Sequence, residues 1–239
     1  MVMVSHTHKF IFLKIQKTAG TTVEIAFEPF CRPPGAVVTE KTPTISTKYG
    51  IVGRRMTKPW RTKRYLGFID WSNHMKHRAL GEERRAQYLK ITTVRNPFDV
   101  AVSKYHHALT FRGAPEAKDF DETRRRFAET ILTKSNNSDY RVVHVDGRFV
   151  VDRVIRFERL AEGLSEVARE VAPEAAPVLL AQTKDMSGRR KRSVADYYDE
   201  ATIAKVRTDA AWVFERFGCP DWPGEAAPAP SALNPQVQT

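Results

Sequence analysis

The chain has 239 residues, with 39 Lys+Arg against 28 Asp+Glu and a formal net charge of +11. Its 41% hydrophobic and 28% charged content suits a globular protein and excludes disordered, collagen-like and coiled-coil chains. Two cysteines, Cys31 and Cys219, exclude a disulfide scaffold and a four-thiolate zinc site, and fit a reducing compartment.

The N-terminal stretch MVMVSHTHKFIFLKI is broken by Lys9 and Lys14 and reads as a strand, not a signal peptide. No apolar run approaches the ~18 residues of a membrane span, so a cytoplasmic protein is expected. The charge is concentrated. Residues 41–95 hold 14 Lys+Arg and 3 acids, whereas the remainder carries 25 of each sign. Such a local basic field attracts anions.

Phe10 to Ile15 is an apolar run of β-formers and predicts a buried strand. The turn QKTAGTT follows. A helix over Thr21 to Phe27 comes next, with Thr21 or Thr22 as N-cap and Glu24 in its first turn. Pro29 to Arg64 shows no period and reads as a long functional loop. Glu82 to Gln87 closes a polar helix, and Tyr88 to Arg95 is a second strand. Asn96-Pro97 then opens a helix, Asn96 as cap and Pro97 at the first helical position. Its residues Phe98, Ala101, Val102, Tyr105 and Leu109 recur at core-facing spacing.

Asp119 to Asn137 predicts a polar helix, and Val142 to Val151 a hairpin turning at Asp146-Gly147. Asp152 to Phe157 reads as a strand. Glu158 to Val171 reads as an amphipathic helix with Leu160, Leu164, Val167, Ala168 and Val171 on one face. Val194 to Phe217 is the last helical region, stopped by Gly218 and Pro220. Residues 1–220 are expected to form one domain, and the Pro/Ala-rich 221–239 a disordered tail.

Two segments carry chemistry. In KTAGTT, Lys17 to Thr22, a strand feeds a turn and then a helix N-terminus, which aims backbone N–H groups at one point suited to phosphate. Gly20 allows close backbone approach, Thr21 and Thr22 add hydroxyls, and Lys17 adds charge. Lys leads here, so this is not the G-x-x-x-x-G-K-[ST] loop. In TVRNPFDVAVSKY, Arg95 closes a strand and Ser103 lies two helical turns on. An Arg fork and a hydroxyl so spaced suit a second phosphate.

Together these segments resemble the two nucleotide-binding signatures of sulfotransferases. They are most similar to the membrane-type carbohydrate branch and its soluble bacterial relatives. The resemblance runs on through NHMKHRALGEERRAQYLKITTVRNP and HVDGRFVVDRVIRFERL. It implies a three-layer, P-loop-like α/β domain with a mainly parallel central sheet flanked by helices. It implies 3′-phosphoadenosine 5′-phosphosulfate as the sulfuryl donor. Lys17, with Ala19, Gly20, Thr21 and Thr22, would hold the phosphosulfate. Lys17 would also neutralise the leaving oxygen. Arg95 and Ser103 would bind the 3′-phosphate, and His74 would be the acceptor-activating base. Arg189 and Arg190, in the basic run RRKR, would clamp the donor.

No metal is expected: His74 and His77 are only a pair, without a nearby third ligand. His6 and His8 read as solvated, and His106 or His107 as candidates to approach the site. The expected acceptor is a hydroxyl of a glycan or small molecule, anionic if the basic segment reads it. The competing readings are a P-loop-like nucleotide kinase or hydrolase and a basic nucleic-acid-binding module. The first lacks the Gly-Lys-Ser/Thr step, and the second lacks any recognised motif.

Overall fold

A computed structural model of the chain describes residues 2–39, 41–53, 81–113, 115–134, 139–174 and 192–225. The chain groups into two compact units, one of Met1–Val94 with Ser138–Asp185 and one of Arg95–Asn137 with Met186–Thr239.

The first unit is built on a sheet. The N-terminal stretch is two strands, not one. β1 (Val2–Ser5) and β2 (Phe10–Leu13) pair antiparallel, from Val2 opposite Leu13 to Ser5 opposite Phe10. The polar tetrad His6 to Lys9 makes the reversal, with Lys9 in the left-handed region (φ 51°) and the His8 N–H donating to Ser5 Oγ. The aperiodic segment after Pro29 also contains a small hairpin, β3 (Ile45–Ser46) with β4 (Gly50–Val52). β4 pairs antiparallel with β1. Gly50 is required there, because a Cβ would fall 2.0 Å from the Val4 carbonyl oxygen.

After α2 (Gly81–Gln87), β5 (Leu89–Val94) runs parallel to β2. α5 (Tyr140–Val143) leads into β6 (His144–Val145) and β7 (Arg148–Phe149), the expected hairpin. Asp146 (φ 50°) and Gly147 (φ 75°) supply the two positive-φ residues of its turn. β8 (Arg153–Arg156) is parallel to β5. The sheet order is β3-β4-β1-β2-β5-β8. The sheet is therefore mixed rather than mainly parallel: beyond β2, the parallel trio β2, β5 and β8 continues on one side as the antiparallel strands β1, β4 and β3. Short turns make the β1–β2 and β3–β4 pairings, whereas β4 returns to β1 after the long segment that follows α1, and each parallel step needs a long crossover.

Phe10, Phe12, Ile91 and Ile155 of the sheet share a core with Val23, Ala26 and Phe27 of α1 (Gly20–Phe27) and Leu164, Val167 and Ala168 of α6 (Leu160–Val171). The α6 spacing is the amphipathic pattern read from the sequence. Ile11 and Leu13 alternate to the opposite face of β2 and are equally buried. This explains the continuous apolar run.

The second unit is helical. α3 (Pro97–Arg112) begins as expected, with the Asn96 side chain accepting the Phe98 N–H. α4 (Phe120–Thr133) is capped by Asp119. Phe98, Ala101, Val102, Tyr105, Phe127, Ile131, Tyr197, Tyr198, Ile203 and Val206 form its core. Val194 to Phe217 is not one helix. A short 3-10 turn at Ala195–Tyr197 is followed by α7 (Glu200–Asp209) and α8 (Ala211–Phe217). Tyr198 is extended, Asp199 and Thr202 close a capping box, and Gly218 ends α8 in the left-handed region. The break buries both tyrosines, and Tyr198 Oη donates to the Phe98 carbonyl at 2.7 Å.

Candidate functional site

The loop between β2 and α1 takes an unusual path. Lys17 (φ 61°) and Ala19 (φ 63°) are both in the left-handed region without being glycine. That conformation costs an L-residue roughly 1–2 kcal/mol and persists only where the surroundings impose it. The constraint is Thr18, held between them. It is 2% exposed, its Oγ1 donates to the Ile15 carbonyl (3.2 Å), and it takes the proton of Thr93 Oγ1 (2.6 Å). Thr93 is on β5, so the loop is tied to the parallel sheet.

The helix start differs from the expectation. α1 begins at Gly20 with Ala19 as N-cap, not Thr21 or Thr22. The first-turn N–H groups of a helix have no intrahelical partner. A threonine N-cap would turn its hydroxyl onto them, and Ala19 has none to offer. No acidic residue lies in the first turn. Glu24 falls one turn further on and is buried. The helix end is left electropositive, with the half-buried Lys17 two residues before its cap.

Lys14 defines the floor of this loop. Its ammonium donates to Thr21 Oγ1 (3.1 Å) and to Glu24 Oε2 (2.6 Å), with the Lys14 side chain 12% and that of Glu24 2% exposed. Its methylenes cross Gly20, where a Cβ would lie 2.6 Å from Lys14 Cγ. The space at Gly20 is therefore taken by Lys14 within the protein. Thr22 is buried and Thr21 half-buried. On the far side, the Gln16 N–H donates to Asp139 Oδ1 at 3.3 Å.

In the second unit, an Nη2–H of Arg95 donates to Asp99 Oδ1 at 2.8 Å, with the Arg95 side chain 13% exposed. Asp99 and Ser103 are four apart on α3 and share a face. Asp99 thus holds the Arg95 fork at the first turn of α3. His106 is engaged by Tyr197, Nε2 to Oη at 2.9 Å. His6 and His8 are not solvated as expected. His6 Nδ1 lies 3.0 Å from Tyr88 Oη, and His8 Nδ1 3.0 Å from the Val171 carbonyl. Burial, and next the Arg84 charge, hold the His6 pKa below its ordinary value.

His74, Arg189 and Arg190 lie outside the described residues, as do most of the basic segment and the chain end beyond residue 225. Among the described residues no group of three His, Cys, Asp or Glu side chains is placed to hold a metal, and no helix is long and apolar enough to cross a membrane.

The sequence reading missed Lys14, Thr18, Thr93 and Asp99. For Lys14 and Glu24 a signal existed: opposite charges at the end of an apolar strand and inside an otherwise apolar helix, flanking one loop.

No curated protein and no solved structure matches the chain. A sulfotransferase family model matches residues 1–199. With its two signature segments and the whole of the described sheet inside that match, the chain belongs to the sulfotransferase family, in its family 2 type, whose reaction is sulfuryl transfer.

Proposed function

We propose that this protein moves the sulfuryl group of 3′-phosphoadenosine 5′-phosphosulfate to a hydroxyl of a glycan or small-molecule acceptor by in-line transfer, on a P-loop-like domain spanning residues 1–220. The observation that carries the reading is the loop after β2. A lysine and an uncapped helix N-terminus stand together at the C-terminal end of a strand in a parallel trio. Ligands of open α/β sheets bind at such strand ends.

In this reading the N–H groups at Gly20, Thr21 and Thr22 and the Lys17 ammonium hold the phosphosulfate. The bond from sulfur to the bridging oxygen breaks as the bond to the acceptor oxygen forms. Lys17 neutralises the charge that develops on the leaving oxygen, and adenosine 3′,5′-bisphosphate departs. Fixed cationic groups aimed at that charge do most of the catalytic work in such transfers. The acceptor proton passes to His74, whose ordinary pKa near 6.5 suits a base at neutral pH. Arg95 and Ser103 bind the 3′-phosphate, with Arg189 and Arg190 closing over it. The excess of basic residues between 41 and 95 favours an acceptor that is itself anionic.

The test is thermal stabilisation by adenosine 3′,5′-bisphosphate beside ADP and ATP, in wild type and Arg95→Ala. Selective binding adds ~2.7 kcal/mol at a hundredfold excess over Kd. A shift with the bisphosphate alone, lost in Arg95→Ala, is expected. An equal or larger shift with ATP would favour a nucleotide kinase and overturn the donor assignment.

A further inference from the structure

We propose that Lys14 is a positioning residue of the phosphosulfate site, holding the Thr21 hydroxyl as a hydrogen-bond donor toward the bound anion. The inference rests on the reading of the loop after β2 as that site.

An ammonium carries three donors and no acceptor. At the 3.1 Å contact with Lys14 Nζ, Thr21 Oγ1 must therefore accept. Its own proton is left over, and among the described residues it has no acceptor. Thr21 is the second residue of α1, within its first turn, and the N-cap Ala19 offers no side-chain acceptor there. Lys14 thus adds one O–H donor to a row of N–H donors without itself facing the ligand.

Glu24 completes the device. Its Oε2 takes Lys14 at 2.6 Å, which cancels the ammonium charge, while its buried Oε1 has no hydrogen-bond partner. If Lys14 were removed, the oxygens of residue 24 would be the nearest acceptors for the Thr21 proton, and the hydroxyl would turn inward. The lysine stem lies across Gly20, and its ammonium is turned onto Glu24 and Thr21.

The experiment is calorimetric titration of adenosine 3′,5′-bisphosphate into wild type, Thr21→Val, the charge-neutral pair Lys14→Met/Glu24→Gln, and the triple variant. Thr21→Val and the pair should each raise Kd about tenfold, the effect of one hydrogen bond to a charged group. The triple variant should be no more than about twofold worse than either. Urea midpoints supply the contrast: the pair lowers the midpoint, whereas Thr21→Val leaves it nearly unchanged. Effects that multiply to about a hundredfold, or a Thr21→Val protein that binds like wild type, would overturn the proposal. If the pair variant does not fold, Thr21→Ser against Thr21→Val decides with Lys14 in place. Recovery by serine supports the assignment, and equal binding by both refutes it. A wild type that fails to bind the bisphosphate at all would overturn the underlying site reading as well, a result distinct from intact binding without coupling.

Discussion

Thr18 and Thr93 share a buried hydrogen bond at 2.6 Å, 75 residues apart in the chain, and through it the loop after β2 is fastened to the neighbouring parallel strand. Thr92, the next residue back, fastens the same two strands again by donating to the Leu13 carbonyl at 2.6 Å. Removing one member of a buried pair leaves the other unsatisfied. Thr18→Val is expected to cost about 1–3 kcal/mol in urea unfolding and to weaken bisphosphate binding by freeing the loop. Thr18→Val/Thr93→Val should recover part of the stability, since both partners are then apolar. A double variant no more stable than Thr18→Val would show that the pair is not the fastening.

The two residues at the helix start should respond in opposite ways. Ala19 is left-handed, so Ala19→Gly relieves steric strain and is expected to be neutral or stabilising by up to about 1 kcal/mol. Gly20 has negative φ, and alanine there would ordinarily favour the helix. The added Cβ would instead meet Lys14 Cγ at 2.6 Å. Gly20→Ala is expected to lower stability by about 1–3 kcal/mol. Denaturation midpoints of the two proteins check the sign of each.

Lys17→Ala separates holding the donor from transferring its sulfuryl group. The helix N–H groups remain, so the Kd for adenosine 3′,5′-bisphosphate should rise less than about tenfold. The cation opposite the leaving oxygen is gone, and release of bisphosphate from the donor in single turnover should slow about a hundredfold or more. Equal losses in binding and turnover would place Lys17 in ground-state binding alone.

His6 gives the fold a pH dependence of known sign. Burial, followed by the Arg84 charge, lowers its pKa in the folded protein, so the native state disfavours the proton that the unfolded chain accepts near 6.5. Stability from this residue is fully present above pH 6.5 and declines as pH falls toward the lowered folded value. Urea unfolding from about pH 8 to about pH 5 should show this decline in wild type and a flatter profile in His6→Gln. Parallel profiles would show that His6 is equally protonated in both states.

Local chemistry was legible in the residues themselves. β2 is an unbroken apolar run, Asn96-Pro97 is a complete helix start, and Asp146-Gly147 has the dihedral freedom its turn needs. α6 repeats its apolar face at helical spacing over three turns. Each signal lies within a few neighbouring residues, where propensity and turn sterics act. The signature segments, Lys17 to Thr22 and Arg95 to Ser103, were legible for the same reason, as short motifs entering helix N-termini.

What escaped depends on partners far away in the chain. β3 and β4 have only five residues between them and no strong apolar pattern. They are strands because β1 offers β4 a hydrogen-bonding edge and Gly50 allows the approach. The sheet is mixed because the tetrad after Ser5 reverses the chain, which a string of apolar residues does not announce. Asp199 and the buried tyrosines, not helix propensity, divide the last helical region.

The sequence by itself determined which segments bury themselves, the starts of α3 and α4, and the family of the chain. The tertiary structure alone decided which charges lie under the loop. A lysine, a glycine, a threonine and a glutamate become one unit when β2 and α1 close on each other, because burial makes each polar group find its complement.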